Sequence, residues 1–393
     1  LLSKKLLIDF EWKKISKEKN IPISIKKIFD SVPSIIQQAI WLLRYLASNW
    51  QLKGAGVKQW RESSATTTFV SYFFNIIPEK LKQGEYGSRY WMEMVGMLNK
   101  KQHATNWLHI YVKSDLLSTA KKARKAIQTF NCQKDSQQNH TTLASFLTIT
   151  LIFHTLKDCY SVLKLRRSVC KVLQSKSDYF WPLFKKDCQE SMGGVTAIST
   201  LLNFNLFERA MNELPIQKRG CYLQENMGWE FGFISAWQNA GHKRNLLGFP
   251  HAAVIYWDLR NFFDPRSYKR KKQGSLPLPD YVGVNGEKAK HMYLDGGYPK
   301  NDLIEVESLR FLYLSDFPAH NNTIDAKGLK NKVVLVAGDY LPENTAKQLK
   351  LLSLAVDNLE SSIHFIIKPH PACPINMQDL PGLNFEISTQ PIG

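Results

Sequence analysis

The sequence predicts an α/β protein of two lobes, each built on a parallel, doubly wound sheet, with a helix-rich N-terminal part and a second lobe only begun. Three observations point there. After about residue 195, short apolar runs alternate with amphipathic segments, the rhythm of strands and helices in such a sheet. Before that, from about 31 to 184, apolar residues recur mainly at three- and four-residue steps. The clearest strand–helix–strand unit stands late in the chain, with only 22 residues following Pro371. The boundaries that follow are 1–315 for the N-terminal lobe, with a helical region at about 31–184 and an α/β part at about 195–315. Residues 316–393 begin the C-terminal lobe, which one unit and a tail leave incomplete.

Taken in order, Ile35, Ile36, Ala39, Ile40, Leu42, Leu43 and Leu46 mark a helix with a wide apolar face. Helical runs are expected over Tyr90–Leu98, Thr105–Thr119 and Thr142–Leu163, with a polar loop at Asn131–Thr141. The most apolar stretch, Leu143–Leu156, is too short to span a bilayer, carries His154 and reads as a buried helix. Past Gly193-Gly194, strands are expected at Gly220–Leu223, Leu246–Phe249 and Tyr281–Val284. Helices are expected at Trp229–Ala240, closed by Gly241, and at Glu287–Leu294, closed by Gly296-Gly297. The last unit is Lys332–Ala337 (strand), Gly338-Asp339 (turn), Glu343–Leu359 (helix) and Ile363–Ile367 (strand), running into Lys368-Pro369-His370-Pro371. The opening LLSKKLLIDFEWKK lacks an initiating Met, and its apolar run is too short for a signal peptide, so the chain is expected to begin inside a longer one.

Of 393 residues, 44% are hydrophobic, 12% aromatic and 22% charged, which excludes a mostly disordered chain. The net charge of +18 favours anionic partners. Basic clusters stand at Lys121–Lys125, Lys164–Arg167 and Arg266–Lys272. About half read as solvated helix faces and a loop; the rest suit a protein working beside an anionic membrane. Six scattered cysteines form neither zinc-ligand spacing nor a compact disulfide framework, and a reducing, cytoplasmic compartment is the simpler inference. Walker-type, dinucleotide-binding, zincin and nucleophile-elbow motifs are missing. The basic segments lack the aromatic platform or finger pattern of nucleic-acid readers, so no nucleic-acid partner is expected.

Chemistry has three candidate seats, each just past a strand, where open α/β sheets bind ligands. In Gln224-Glu225-Asn226-Met227-Gly228-Trp229-Glu230, Glu225 leaves the strand and Glu230 enters the helix. Either carboxylate is a cap on the helix N-terminus, or a base for a sugar hydroxyl and stabiliser of an oxocarbenium-like transition state. In Gly248-Phe249-Pro250-His251, the imidazole either donates to a phosphate or carboxylate, or hydrogen-bonds backbone. In Lys368-Pro369-His370-Pro371, two prolines hold His370 at the strand end, where it and Lys368 suit a nucleotide phosphate. Gly338 and Asp339, after the preceding strand, would face the same crevice. Trp229 and Trp257, near Asp258 and the carboxylates, are candidates to line a sugar site.

Together, Tyr222–Glu230, Ala236-Trp237, Gly248–His251, Tyr256–Arg260, Val284-Asn285-Gly286 and Glu307–Phe311 resemble a family of bacterial surface-carbohydrate (capsule and O-antigen) biosynthesis proteins. Upstream, Tyr90-Trp91 and Asn106–His109 fit the same pattern, and the resemblance covers roughly residues 70 to 371. That family looks like a branch of the GT-B glycosyltransferases, related to bacterial sialyltransferases and capsule Kdo transferases. The resemblance implies a two-lobed, Rossmann-type architecture, a CMP-activated acidic sugar as donor, His370 on the donor phosphate and the acidic role on Glu225 or Glu230. With Trp229, the residues His251, Asp258, Asn285, Gly338, Asp339, Lys368 and Pro371 are expected among the substrate- and nucleotide-binding residues.

The expectation is a glycosyltransferase acting on a glycan or lipid-linked glycan acceptor. It uses a nucleotide-sugar cosubstrate, with no other cofactor and no metal, in the cytoplasm or peripherally on the inner membrane face. The alternative is a non-catalytic assembly or export partner that keeps the fold.

Overall fold

The computed structural model describes residues 32–133, 136–177, 179–250, 254, 259–262, 264–268, 276–316, 332–339, 341–356, 358–359, 363–370, 373–375 and 385–388. They fall into two units, Leu1–Leu314 and Ser315–Gly393.

The first unit is built on strands β1 (Thr67–Tyr72), β2 (Thr105–Ile110), β3 (Gln138–Thr142), β4 (Arg219–Gln224), β5 (Leu246–Pro250), β6 (Tyr281–Val284) and β7 (Leu303–Glu305). Among the described residues they form one seven-stranded sheet in the order β3-β2-β1-β4-β5-β6-β7, with every pairing parallel. Phe69 of β1 lies opposite Trp107 of β2, their rings stacked with centroids 4.5 Å apart. Successive residues of β1 and β2 are buried, so both faces of the sheet centre are covered, as parallel sheets require.

Three of these strands lie where a mainly helical region, 31–184, is expected. Thr105–Ile110 is a strand rather than the start of a helix to Thr119, and Gln138–Thr142 is a strand where a loop is expected. The reason is physical. A strand buried on both faces loses the alternation that marks a half-exposed one, and the polar residues suggesting a loop are hydrogen-bonded inside. Ser63 Oγ donates to Asn106 Oδ1 (2.6 Å), while Asn106 Nδ2 and Thr68 Oγ1 donate to Gln217 Oε1 (3.2 and 2.9 Å). On the other face, Gln138 Oε1, His140 and His109 form a chain with two 3.1 Å steps. These bonds lower the cost of burying the polar groups, although His109 Nδ1 and Gln138 Nε2 stay buried without a hydrogen-bond partner among the described residues.

The helices are α1 (Ser34–Asn49), α2 (Val57–Arg61), α3 (Pro78–Lys82), α4 (Glu93–Lys100), α5 (Ala120–Asn131), α6 (Ile149–Lys176), α7 (Trp181–Gly193), α8 (Val195–Asn212), α9 (Gly228–Asn239) and α10 (Glu287–Asp295). Thr119 and Thr148 cap α5 and α6, each accepting a backbone N–H at 3.2 Å. In α8, Ile198, Leu202, Leu206, Phe207 and Met211 are buried at helical spacing. Two helices depart from expectation. Leu143–Phe146 is a buried 3₁₀ turn, but in α6 only Leu151, Thr155 and Cys159 are buried, leaving Ile149, Phe153, Leu156 and Tyr160 exposed. In α1 the buried side chains include Gln37 and Gln38 while Ile35, Ile36 and Leu43 face outward. The helix docks through Gln38 Nε2, which donates to the carbonyls of Gly193 and Gly194. Among the described residues no helix is long and apolar enough to cross a membrane.

The second unit contains β8 (Lys332–Ala337), α11 (Pro342–Val356), β9 (Ile363–Lys368) and β10 (Phe385–Ile387), a parallel sheet ordered β10-β9-β8. Its core is Val336, Leu349, Phe365 and Ile367.

Candidate functional site

The strand order of the first unit reverses at its centre. From β1 the chain winds outward to β2 and β3, then returns to place β4 on the other side of β1. Connections leaving β1 and β4 diverge to opposite halves of the sheet, and this opens a crevice at their carboxyl ends, where doubly wound sheets bind ligands. Tyr72 ends β1 and Gln224 ends β4.

The turn after β4 is held by its own polar groups. Asn226 adopts a left-handed backbone (φ 56°), and Gln224 Nε2 donates to Asn226 Oδ1 at 3.0 Å. Asn226 Nδ2 in turn donates to Asn261 Oδ1 at 2.8 Å. Glu230, in the first turn of α9 and 2% exposed, accepts the backbone N–H groups of Glu225 (2.8 Å) and Met227 (2.9 Å) on one carboxylate oxygen. This is the carboxylate half of a capping box. Burial pushes Glu230 up to about 7 against the lowering effect of those N–H groups, with the charge of Glu225 adding to the rise. Glu225 is half-buried.

Trp229 bridges the crevice, its indole N–H donating to Tyr72 Oη at 2.9 Å with ring centroids 5.8 Å apart. The phenols of Tyr72 and Tyr90 are both pushed up to about 12, chiefly by burial and further by the charge of Glu225. Both are therefore neutral O–H groups at any physiological pH. Tyr90 opens onto a cavity of about 650 Å³ lined by Asn75, Ile77, Glu79, Arg89, Tyr90, Met92 and Arg310. Among the described residues no carboxylate pairs with Arg89 or Arg310. Asn285, past β6, accepts from Ser308 Oγ on its carbonyl (3.1 Å), fixing the segment that carries Arg310.

The structure thus brings Glu225, Trp229 and Glu230 together with Tyr72 and ties Asn285 to the Arg310 segment. Tyr72, Tyr90, Arg89 and Arg310 are further candidates for the site that the sequence does not single out. Tyr90 and Arg310 lie inside the family-like segments, which is a signal for them; Tyr72 has none, because β1 is buried on both faces and lacks the alternation of a half-exposed strand. Asn106–His109 is structural, all four side chains being buried in the sheet. Gly248 is structural too: a Cβ there would meet Gln224 Oε1 at 2.6 Å and Tyr222 Oη at 3.0 Å.

In the second unit, Gly338 donates to the carbonyl of Lys368 (2.8 Å), and a Cβ on it would stand 3.2 Å from His370 N. Gly338, Asp339, Lys368 and His370 therefore share the carboxyl edge of β8 and β9. The Asp339 carboxylate accepts from Leu341 N (2.8 Å) and Asn344 Nδ2 (3.0 Å), so it organises the entry to α11. His370 is half-buried, its carbonyl accepting from Cys373 N. His251, Asp258, Trp257 and Pro371 lie outside the described residues.

No protein-family profile matches the chain, and no curated protein does. Among solved structures it aligns with UDP-N-acetylglucosamine 2-epimerase from Rickettsia bellii (12% identity, TM-score 0.33, 82% of this chain and 68% of that one). It also aligns with UDP-GlcNAc 2-epimerase from Neisseria meningitidis bound to UDP-GlcNAc (12%, 0.32, 82% and 71%). A third alignment is with an E. coli trehalose-6-phosphate structure bound with UDP-2-fluoro glucose (12%, 0.35, 83% and 74%). The α/β assignment rests on the strand order itself.

Proposed function

We propose that the chain is a glycosyltransferase of surface-polysaccharide biosynthesis, moving an acidic sugar from a CMP-linked donor to a glycan acceptor. The observation that carries this reading is a cavity large enough for a sugar, lined by Glu79, Arg89, Tyr90 and Arg310, whose Tyr90 ring lies 6.3 Å from that of Tyr72 at the end of β1. Tyr72 in turn accepts from Trp229, and both phenols feel the charge of Glu225.

The roles follow from exposure and charge. A base has to touch the proton it removes, so Glu225 rather than the enclosed Glu230 takes the acceptor hydroxyl proton. Glu230 is a positioning residue that fixes the turn presenting Glu225. As the acceptor oxygen bonds to the anomeric carbon, the bond from that carbon to the donor phosphate breaks. The phosphate leaves with its electron pair as CMP; on the second unit, taken by itself, Lys368 and His370 suit a nucleotide phosphate. Trp229 offers an apolar ring edge for the sugar, while Arg89 and Arg310 suit a carboxylate or phosphate on the acceptor.

The test is CMP release from CMP-linked acidic sugars by the full chain in the presence of oligosaccharide acceptors. Glu225→Gln is expected to lower kcat by about 10² or more. Arg310→Ala is expected to raise acceptor KM roughly tenfold with donor KM unchanged. Absence of CMP release from every such donor, or full activity in Glu225→Gln, defeats the reading. Glycan binding without turnover identifies an assembly partner instead.

A further inference from the structure

We propose that the hairpin of α6 and α7 is a docking surface for a lipid bilayer carrying anionic headgroups. Beyond Cys159 no residue of α6 is buried among those described, so its last 17 residues, roughly 25 Å of helix, leave the core. They pack against α7, in which only Trp181 and Gly193 are buried. Around the turn joining the two helices, Val172, Tyr179, Phe180 and Leu183 are 57–71% exposed. Large apolar side chains at that exposure, grouped at one tip, need a cover.

The charge around them identifies the cover. Lys171, Lys176, Lys185 and Lys186 are all exposed beside these apolar side chains. Between Cys159 and Lys186 the chain carries seven lysines and arginines against a single acid, Asp178. A second copy seated on this tip would bring like charges together, because a twofold interface meets itself. Protein interfaces are moreover depleted of lysine. An anionic bilayer answers both features: its headgroups balance the cations, its acyl boundary takes Leu183 and Phe180, and Tyr179 suits the level between. Lysine stems lie along the apolar surface while their ammonium groups reach the phosphates. The surface is separate from the β1–β4 crevice, and its test does not depend on transferase activity.

The experiment is flotation of the full chain with vesicles of phosphatidylcholine alone or mixed with phosphatidylglycerol. The wild-type chain is expected to float with the mixed vesicles and to be released as salt rises. The exposed-site variants Tyr179→Ser/Phe180→Ser/Leu183→Ser and Lys176→Glu/Lys185→Glu/Lys186→Glu are each expected to partition at least about tenfold more weakly, with circular dichroism and Tm unchanged. The proposal is overturned if the wild type floats with neither vesicle or if both variants float like the wild type. It is also overturned if sedimentation without vesicles shows a wild-type dimer that the serine variant abolishes, which assigns the tip to a second copy.

Discussion

Glu230 shows how much a single side chain decides at the candidate site. Its carboxylate closes the turn after β4 while lying almost wholly out of water, and burial holds its proton up to about 7. In an unfolded chain the same group titrates near 4.3. Its contribution is therefore fully present below pH 4.3 and is lost as pH rises through 7, on the order of 3 kcal/mol. Glu230→Gln keeps an oxygen to accept both backbone N–H groups and removes the charge. Urea titrations should show the variant losing this pH dependence and matching or exceeding wild-type stability at pH 8; an unchanged pH profile would argue against a buried titrating carboxylate. Gly248→Ala tests the crevice from beneath. The added Cβ must displace Gln224 or Tyr222, so a loss of about 1–3 kcal/mol is expected by denaturant titration, together with lower turnover as the Gln224–Asn226 bond shifts. Sequence reading found Glu225, Trp229 and Glu230 because they follow a strand and open a helix. It left cap and catalyst undecided for the two carboxylates, since only burial separates them.

At the scale of elements, the second half of the first unit was legible: Tyr281–Val284 is a strand, Gly228–Asn239 a helix, and Gly241 takes the left-handed backbone (φ 75°) that ends it. The first half was not, because β1–β3 sit at the sheet's covered centre and edge with polar residues buried and hydrogen-bonded to one another. In β3 the sequence QNHTT carries no apolar residue at all, and no periodicity argument retrieves such a strand. The α6–α7 pair holds a second hidden relation. The sulfurs of Cys170 and Cys188 stand 3.2 Å apart as free thiols, although nothing in their spacing marks a pair. Burial, aided by the neighbouring Cys170, pushes the Cys188 thiol up, so oxidation should be slow at neutral pH and faster in alkali. Mild oxidant is expected to join the two, seen as a two-proton mass loss. Closing a loop of about 17 residues should raise hairpin stability by about 3 kcal/mol on the chain-entropy description. Cys188→Ser should show neither effect.

For the whole molecule, buried histidines set the acid limit. Burial holds His109 well below its usual value, aided by the neighbouring His140, and lowers His140 to about 3 and His242 to about 4. Each refuses a proton that the unfolded chain accepts below about 6.5, so their joint contribution grows as pH rises from 4 to 6.5. Glu230 opposes with one proton, leaving a net slope of roughly 2–3 kcal/mol per pH unit near pH 5. Denaturant titrations at pH 5, 5.5 and 6 should show stability climbing; a fall over that interval would contradict the buried, neutral imidazoles.

The placement of β4 beside β1 also bears on how the chain is made. Thr67 is paired with Arg219, about 150 residues later. At ribosomal speeds of 5–20 residues per second, one edge of β1 is left bare for on the order of ten seconds. A nascent chain released before β4 emerges would expose the unpaired backbone edge of β1 to other chains, so early termination products should be among the most aggregation-prone forms of this protein.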